Sequence, residues 1–297
     1  DGNNYNKYWK GETRPWYSLE LISIEGSVKF MIWTEDGRKA GVISALYSQF
    51  PEIEIKEVPD YAKSVHFDPK ELKTWAAEMT FTNKKPVYPI KTYVDYGLDK
   101  DPKEEFKIDP LLPLIEFLGS VGPNQQVWIQ ILLQGHISKN RRKKGKFFEY
   151  EDGWKEDAKE EINTILLRDA KTKVSGKVDE ETGFSKMPTI TPVEKETAEA
   201  IERKISKPAF DVGIRCLYIA KKDIYNAPFG IGGIMAGLKH FGHEHMNGFK
   251  PNNEKFHPSL GEPWTDFRDI RKNRYSKNSL LAYKRRSYFY PPFISKP

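Results

Sequence analysis

The sequence predicts an α+β fold of two helix-covered, largely antiparallel sheet lobes, and three observations carry that expectation. Residues 16–58 read as strand, strand, helix and strand in succession. Residues 124–225 repeat the outline as strand, insertion, helix, proline and strand. Residues 226–297 add an apolar helix and a basic, aromatic segment. A helix crossing between strands returns right-handedly onto the same sheet, so each unit should cover one sheet face with one helix. Both lobes (16–123 and 124–225) are then ferredoxin-like strand–strand–helix–strand units, preceded by an extension over 1–15 and followed by a basic C-terminal helical segment.

In the first lobe, Tyr17–Ile24 and Ser27–Trp33 flank a Glu25–Gly26 turn. Val28, Phe30 and Ile32 fall on one side and Lys29 and Met31 on the other, the period of two of a half-buried strand. Asp36–Phe50 shifts to helical spacing, with Ile43, Leu46, Tyr47 and Phe50 on one face and Arg38, Ser44 and Ser48 opposite. Pro51 ends that helix, because its ring and missing N–H cannot continue the ladder. Glu52–Val58 alternates again, with Ile53 and Ile55 inward. Trp75–Phe81 reads as a strand in a hairpin with Tyr88–Tyr93; a helix opening at Asp68–Pro69 is the alternative. Asp99–Ile108 is a charged loop, and Asp109–Pro110 opens a short helix over Leu111–Leu118.

In the second lobe, Gln126–His136 is apolar on both faces and should be a central strand. The insertion 137–190 holds a basic run, helical spacing over Gly153–Ala170 and an aperiodic loop over 171–190. Thr191, Pro192 and Glu194 form a capping-box signature for a helix ending before Pro208. Phe210–Ala220 alternates as a long strand, and Phe229 to about Met246 is helical.

Mean hydropathy of −0.67 and the absence of a run of ~20 apolar residues describe a soluble globular protein without a spanning helix. The chain opens on Asp1 rather than Met, which reads as a piece of something longer. Cys216 is the sole cysteine, so no internal disulfide forms, and a reducing compartment suits it. Net charge is +6, concentrated between Lys139 and Lys146 and between Arg268 and Arg286. Such clusters suit phosphates, anionic lipid heads or an acidic protein; the plain alternative is a solvated loop and helix face.

No local motif carries catalysis. G-x-x-x-x-G-K-[ST] is absent, and Met235 stands where G-x-G-x-x-G would need its third glycine. Gly230, Gly232, Gly233 and Gly237 therefore read as allowing close helix packing. His240 and His243 lie one helical turn apart, but His245 points elsewhere and no H-E-x-x-H occurs. They read as polar helix-end residues beside an Asn247–Gly248 cap, so neither metal nor cofactor is expected. Gln130 and Arg215 interrupt apolar strands, either hydrogen-bonding across the sheet or marking a partner-facing surface.

Several blocks carry a family resemblance: Trp16-Tyr-Ser-Leu-Glu20, Val28-Lys-Phe-Met-Ile32, the stretch from Leu46-Tyr-Ser-Gln-Phe-Pro to Ile55, and Tyr88-Pro-Ile-Lys-Thr-Tyr93. Trp128-Ile-Gln130, Ile205-Ser-Lys-Pro-Ala-Phe210, Asn247-Gly-Phe249 and Arg285-Arg-Ser-Tyr288 continue it over most of the chain. With these the chain resembles a family of uncharacterised, membrane-associated bacterial proteins of candidate-phylum and metagenomic origin. Members are typically encoded near type IV secretion and conjugation ATPases and carry an apolar segment upstream. The opening unit also looks like the non-catalytic N-terminal region of some such ATPases. The resemblance implies a non-enzymatic scaffold or adaptor on the cytoplasmic face of a membrane, anchored by a segment outside this sequence. Its partners would be a transfer-type ATPase or further copies of itself. The basic run and the three histidines depart from the family pattern.

A second expectation is nucleic-acid binding through Arg141, Arg142, Lys143, Lys144, Arg271, Lys272, Arg274, Arg285 and Arg286, with Tyr275 and Tyr283 available for stacking. Glu149, Glu151, Asp152, Glu156 and Asp157 would offset the first cluster. A structural subunit of a virus or other large assembly is a third.

Overall fold

The computed structural model describes residues 14–82, 85–99, 109–136, 140–142, 150–166, 190–252 and 269–289. Its centre is one six-stranded sheet of order β2-β1-β4-β7-β3-β8, every pairing antiparallel. The strands are β1 (Trp16–Ile24), β2 (Ser27–Trp33), β3 (Leu72–Phe81), β4 (Gln125–Gly135), β7 (Phe210–Lys221) and β8 (Phe249–Pro251). A separate ribbon pairs β5 (Asn140–Arg142) with β6 (Tyr150–Asp152). The helices are α1 (Lys39–Gln49), α2 (Leu112–Gly119), α3 (Gly153–Ile165), α4 (Pro192–Ile205), α5 (Ala227–Lys239) and α6 (Ile270–Lys284).

The α+β class holds, but the expected two lobes merge. Strand β1 pairs with β4 and β3 pairs with β7, so strands assigned to different lobes alternate within one sheet. The reason lies in β4 and β7, which are apolar on both faces and need neighbours on both edges. Trp75–Phe81 is a strand, yet its partners are β7 and β8; Tyr88–Tyr93 is irregular. Glu52–Val58 forms no strand: it lies exposed, with Glu57 paired to Lys39 and Glu54 to Lys56. Residues 1–13 of the expected extension over 1–15, all but Asp99 of the loop over Asp99–Ile108, most of the basic run and all but Ile190 of the loop over 171–190 fall outside the described residues.

Local chemistry explains the elements that were legible. Glu25 and Gly26 both take positive φ (53° and 86°), as the tight turn of a two-residue hairpin requires. In α4, Thr191 and Glu194 complete the capping box, satisfying two backbone donors reciprocally.

One sheet face carries Leu21, Val127, Ile129, Cys216 and Tyr218 and packs under α2 and α5 through Leu114, Leu118, Ile234 and Leu238. Glycines make that approach possible: a Cβ at Gly230 would lie 2.3 Å from the Tyr218 ring, and one at Gly233 2.0 Å from Phe117. The opposite face carries Ile22, Trp128, Leu217 and Ile219 and packs under α6 through Leu280 and Tyr283. A third cluster joins α3, α4 and Val87.

The α6 face is crossed by one polar row. Glu78, Arg215, Gln130 and Glu20 are successive cross-strand partners on β3, β7, β4 and β1. Arg215 donates to Glu78 Oε1 at 2.9 Å and to Gln130 Oε1 at 3.0 Å, and Gln130 donates to Glu20 Oε1 at 3.0 Å. Arg286, just past α6, closes the row: Nε donates to Glu20 Oε1 at 3.0 Å, while Nη1 and Nη2 hold the two oxygens of Asp60 at 2.6 and 2.9 Å. Tyr61 donates to Glu20 Oε2 at 2.7 Å and meets the Tyr283 hydroxyl at 2.5 Å. Burial, then the neighbouring Glu20 and phenol oxygens, pushes Tyr61 far above the ordinary tyrosine range, so it stays a neutral donor.

Gln130 (0% exposed) and Arg215 (2%) thus bond across the sheet and present nothing to a partner. Arg286, expected on a phosphate-binding surface, is 4% exposed and pinned between two carboxylates. Burial alone would raise the pKa of Asp60, but the Arg286 hydrogen bonds and charge hold it below the usual carboxylate value. A depressed carboxylate stabilises the fold above its unfolded pKa, and that contribution is lost as pH falls through the folded value.

Replacing one member of a buried ion pair leaves an uncompensated charge, which costs about 3–5 kcal/mol. Arg286→Ala should therefore lower the unfolding free energy by about that amount in chemical denaturation. Exposed Arg285→Ala should change it by less than about 0.5 kcal/mol. Asp60→Asn should also flatten the loss of stability below about pH 4. Equal effects of the two arginine variants would contradict this role for Arg286.

Candidate interaction surface

The face under α2 and α5 is covered over only part of its length. Beyond Leu21 and Ile129 the same strands continue into Leu19, Phe30, Ile32, Phe210 and Val212, exposed by 38%, 67%, 43%, 59% and 49%. All five belong to one side of the sheet by register: Leu19 opposes Ile32 and Ile131, Phe30 opposes Leu21, and Val212 opposes Leu133.

Helix α1 was expected to cover this region and does not. None of its residues is buried, and Tyr47 and Phe50 are exposed. A groove of about 600 Å³ lies between it and the sheet, lined by Val42, Leu46 and Phe50 on one side and Leu19, Ile32 and Leu133 on the other. The missing strand at 52–58 explains the arrangement, since nothing draws α1 back across the sheet. Strand β2 ends the sheet order, so among the described residues its outer edge has no strand partner. Edge backbone beside uncovered apolar side chains is a template for pairing or docking. Sequence patterning identified the apolar side of β2 but assigned it to the interior, because alternation reports which residues share a face and not what lies over it.

The second cluster of expected site residues divides. Arg271, Arg274 and Arg285 are exposed, as is Lys277, and their spacing of three, three and eight residues sets all four along the outer side of α6. Lys272 lies 3.7 Å from Asp269. Tyr283 is fully buried and Tyr275 packs against the core, so neither serves as a stacking platform. In the first cluster, Arg141 and Arg142 lie in β5, Arg141 opposite Glu151, while Lys143 and Lys144 fall outside the described residues.

Helix α5 ends at Lys239, with His240 as its cap, short of the expected Met246. His243 Nδ1 accepts from the His245 backbone N–H at 3.2 Å. Asn247 is a buried clamp instead of a helix cap, donating to the carbonyls of Lys85 and Tyr88. Among the described residues no group of three His, Cys, Asp or Glu side chains is placed to hold a metal ion. No helix there is long and apolar enough to cross a membrane.

Cys216 is fully buried between Ile129 and Ala77, and burial pushes its thiol up to about 12. Thiolate is the reactive form, so labelling by a thiol reagent at pH 8 should track global unfolding across a denaturant series. Labelling of the native protein at the rate of a free thiol would contradict this core position.

No curated protein and no solved structure matches the chain. A family profile described as a domain of unknown function, DUF8128, matches residues 4–245. That span holds strands β1 to β7 and the uncovered apolar surface, and it stops short of β8 and α6. With most of its length matched, the chain belongs to the DUF8128 family.

Proposed function

We propose that this chain is a non-enzymatic scaffold or adaptor of a type IV secretion or conjugation-like transfer apparatus, working on the cytoplasmic face of a membrane. The observation that carries the scaffold reading is the uncovered sheet end with Phe30 and Ile32 beside a helix that buries none of its residues. Burying a large apolar side chain contributes about 1.5–3 kcal/mol, so a partner seated there gains several such increments. The transfer setting follows from the sequence resemblance, which also supplies the partner class: a transfer-type ATPase or a second copy of this chain.

The test is association of purified chain with that ATPase, and with itself, by sedimentation velocity. Phe30→Glu with Ile32→Glu should abolish whichever complex forms. Both positions are exposed, so the monomer's unfolding free energy should shift by no more than about 1 kcal/mol. Undiminished association of the double variant would overturn the reading.

One observation favours nucleic acid as an additional partner. Residues 270–286 contain seven Lys or Arg and no Asp or Glu, and four of those cations share the outer side of α6. Glutamate at Arg271, Arg274, Lys277 and Arg285 should then eliminate DNA binding. In the wild type log K should fall steeply with log salt, by about 0.9 per phosphate contacted. Binding without a salt slope would dispose of this second reading.

A further inference from the structure

We propose that the chain binds an anionic amphiphile, its tail in a cavity beneath the end of α4 and its head group at Lys204 and Lys207. The cavity holds about 550 Å³ and opens where β3 and β7 part company. That is within the roughly 300–1,000 Å³ of small-molecule sites. Its walls are apolar: Met79 and Phe81 from β3, Val212 and Ile214 from β7, Phe249 from β8, and Val94 from the irregular segment above.

The charged groups around this cavity are mostly cationic. Among the described residues Arg203, Lys204 and Lys207 line it from α4 and the turn after it, against one acid, Asp95. Asp95 is already committed: Oδ1 lies 3.5 Å from Arg203, and Oδ2 accepts from the Thr92 backbone and hydroxyl at 2.7 and 2.9 Å. Among the described residues the two lysines are thus left without a carboxylate at the cavity. Lys204 donates to the carbonyl oxygens of Pro86 and Tyr88 and lies 5.8 Å from the Phe81 ring centre. Lys207 lies 5.5 Å from the ring centre of Tyr93. Burial lowers the Lys204 ammonium to about 8, the mark of a cation held in an apolar wall. An anionic head group would supply the countercharge while its tail displaced water from the apolar walls.

Neither the scaffold reading nor the uncovered β2 end is needed for this assignment. The test is calorimetric titration of the full chain with monomeric oleate, oleyl alcohol and inorganic phosphate, alongside co-sedimentation with phosphatidylglycerol vesicles. Oleate should bind at least tenfold more tightly than oleyl alcohol, which carries the same tail, the margin of one charge-assisted hydrogen bond at about 1.5–3 kcal/mol. Inorganic phosphate alone should not bind measurably. Lys204→Met with Lys207→Ala should remove that margin and leave oleyl alcohol affinity unchanged. Val212→Trp, at a half-exposed position, should block both ligands by filling the cavity mouth. Vesicle binding lost in these variants assigns a membrane lipid as the source; oleate binding without vesicle binding assigns a free acid. Equal affinity for oleate and oleyl alcohol, no oleate binding at millimolar concentration, or unaltered binding by Lys207→Ala and Val212→Trp would overturn the proposal.

Discussion

Arg286 gripping Glu20 and Asp60 is the interaction on which the rest of this architecture depends. It joins the residue just past α6 to the first strand of the sheet and to the turn before Tyr61, segments more than 200 residues apart. The residue itself sits at φ 50°, a left-handed conformation that costs a non-glycine residue about 1–2 kcal/mol. Two bidentate contacts hold it there, and the sharp turn aims the guanidinium back under α6. Because a half-satisfied row would leave charges stranded in an apolar layer, the polar row tolerates one register of β1, β4, β7 and β3. The family span ends at residue 245, yet the helix that seals this face lies beyond it.

This closure makes the two faces unequal. On one, α6 covers the apolar side chains of the strands and Arg286 closes their polar row. On the other, α2 and α5 press close through their glycines and stop short, and α1 stands away from the strands it was expected to cover. The large apolar side chains that the sheet strands leave exposed, Leu19, Phe30, Ile32, Phe210 and Val212, therefore collect at one end of one face. Such a distribution suits a body that others assemble on, and the basic side of α6, on the opposite face, gives it a second, electrostatic pole.

The sequence revealed what depends on neighbours along the chain. The Glu25–Gly26 turn, the capping box at Thr191 and the double-sided apolarity of β4 each follow from local chemistry, and each is found in place. It failed where distant partners decide. Two similar runs of strand and helix suggested two lobes, whereas pairing of β1 with β4 and β3 with β7 interleaves them. Ile53 and Ile55 alternate like a strand but find no edge to join. Arg286 resembled its exposed neighbour Arg285 because nothing local distinguishes an arginine that meets two carboxylates from one that meets water. The signal that existed was indirect: Glu20, Gln130 and Arg215 were polar positions in apolar strands and required partners from somewhere.

Hydrogen exchange on the free chain tests the central claim, one face locked and the other open, most directly. Local stability follows buried contacts, so amides of α6 should exchange only with global unfolding, together with those of β4 and β7. Amides of α1 should exchange orders of magnitude faster, through openings that leave the sheet intact. Protection of α1 equal to that of β4, or rapid exchange throughout α6, would contradict the account.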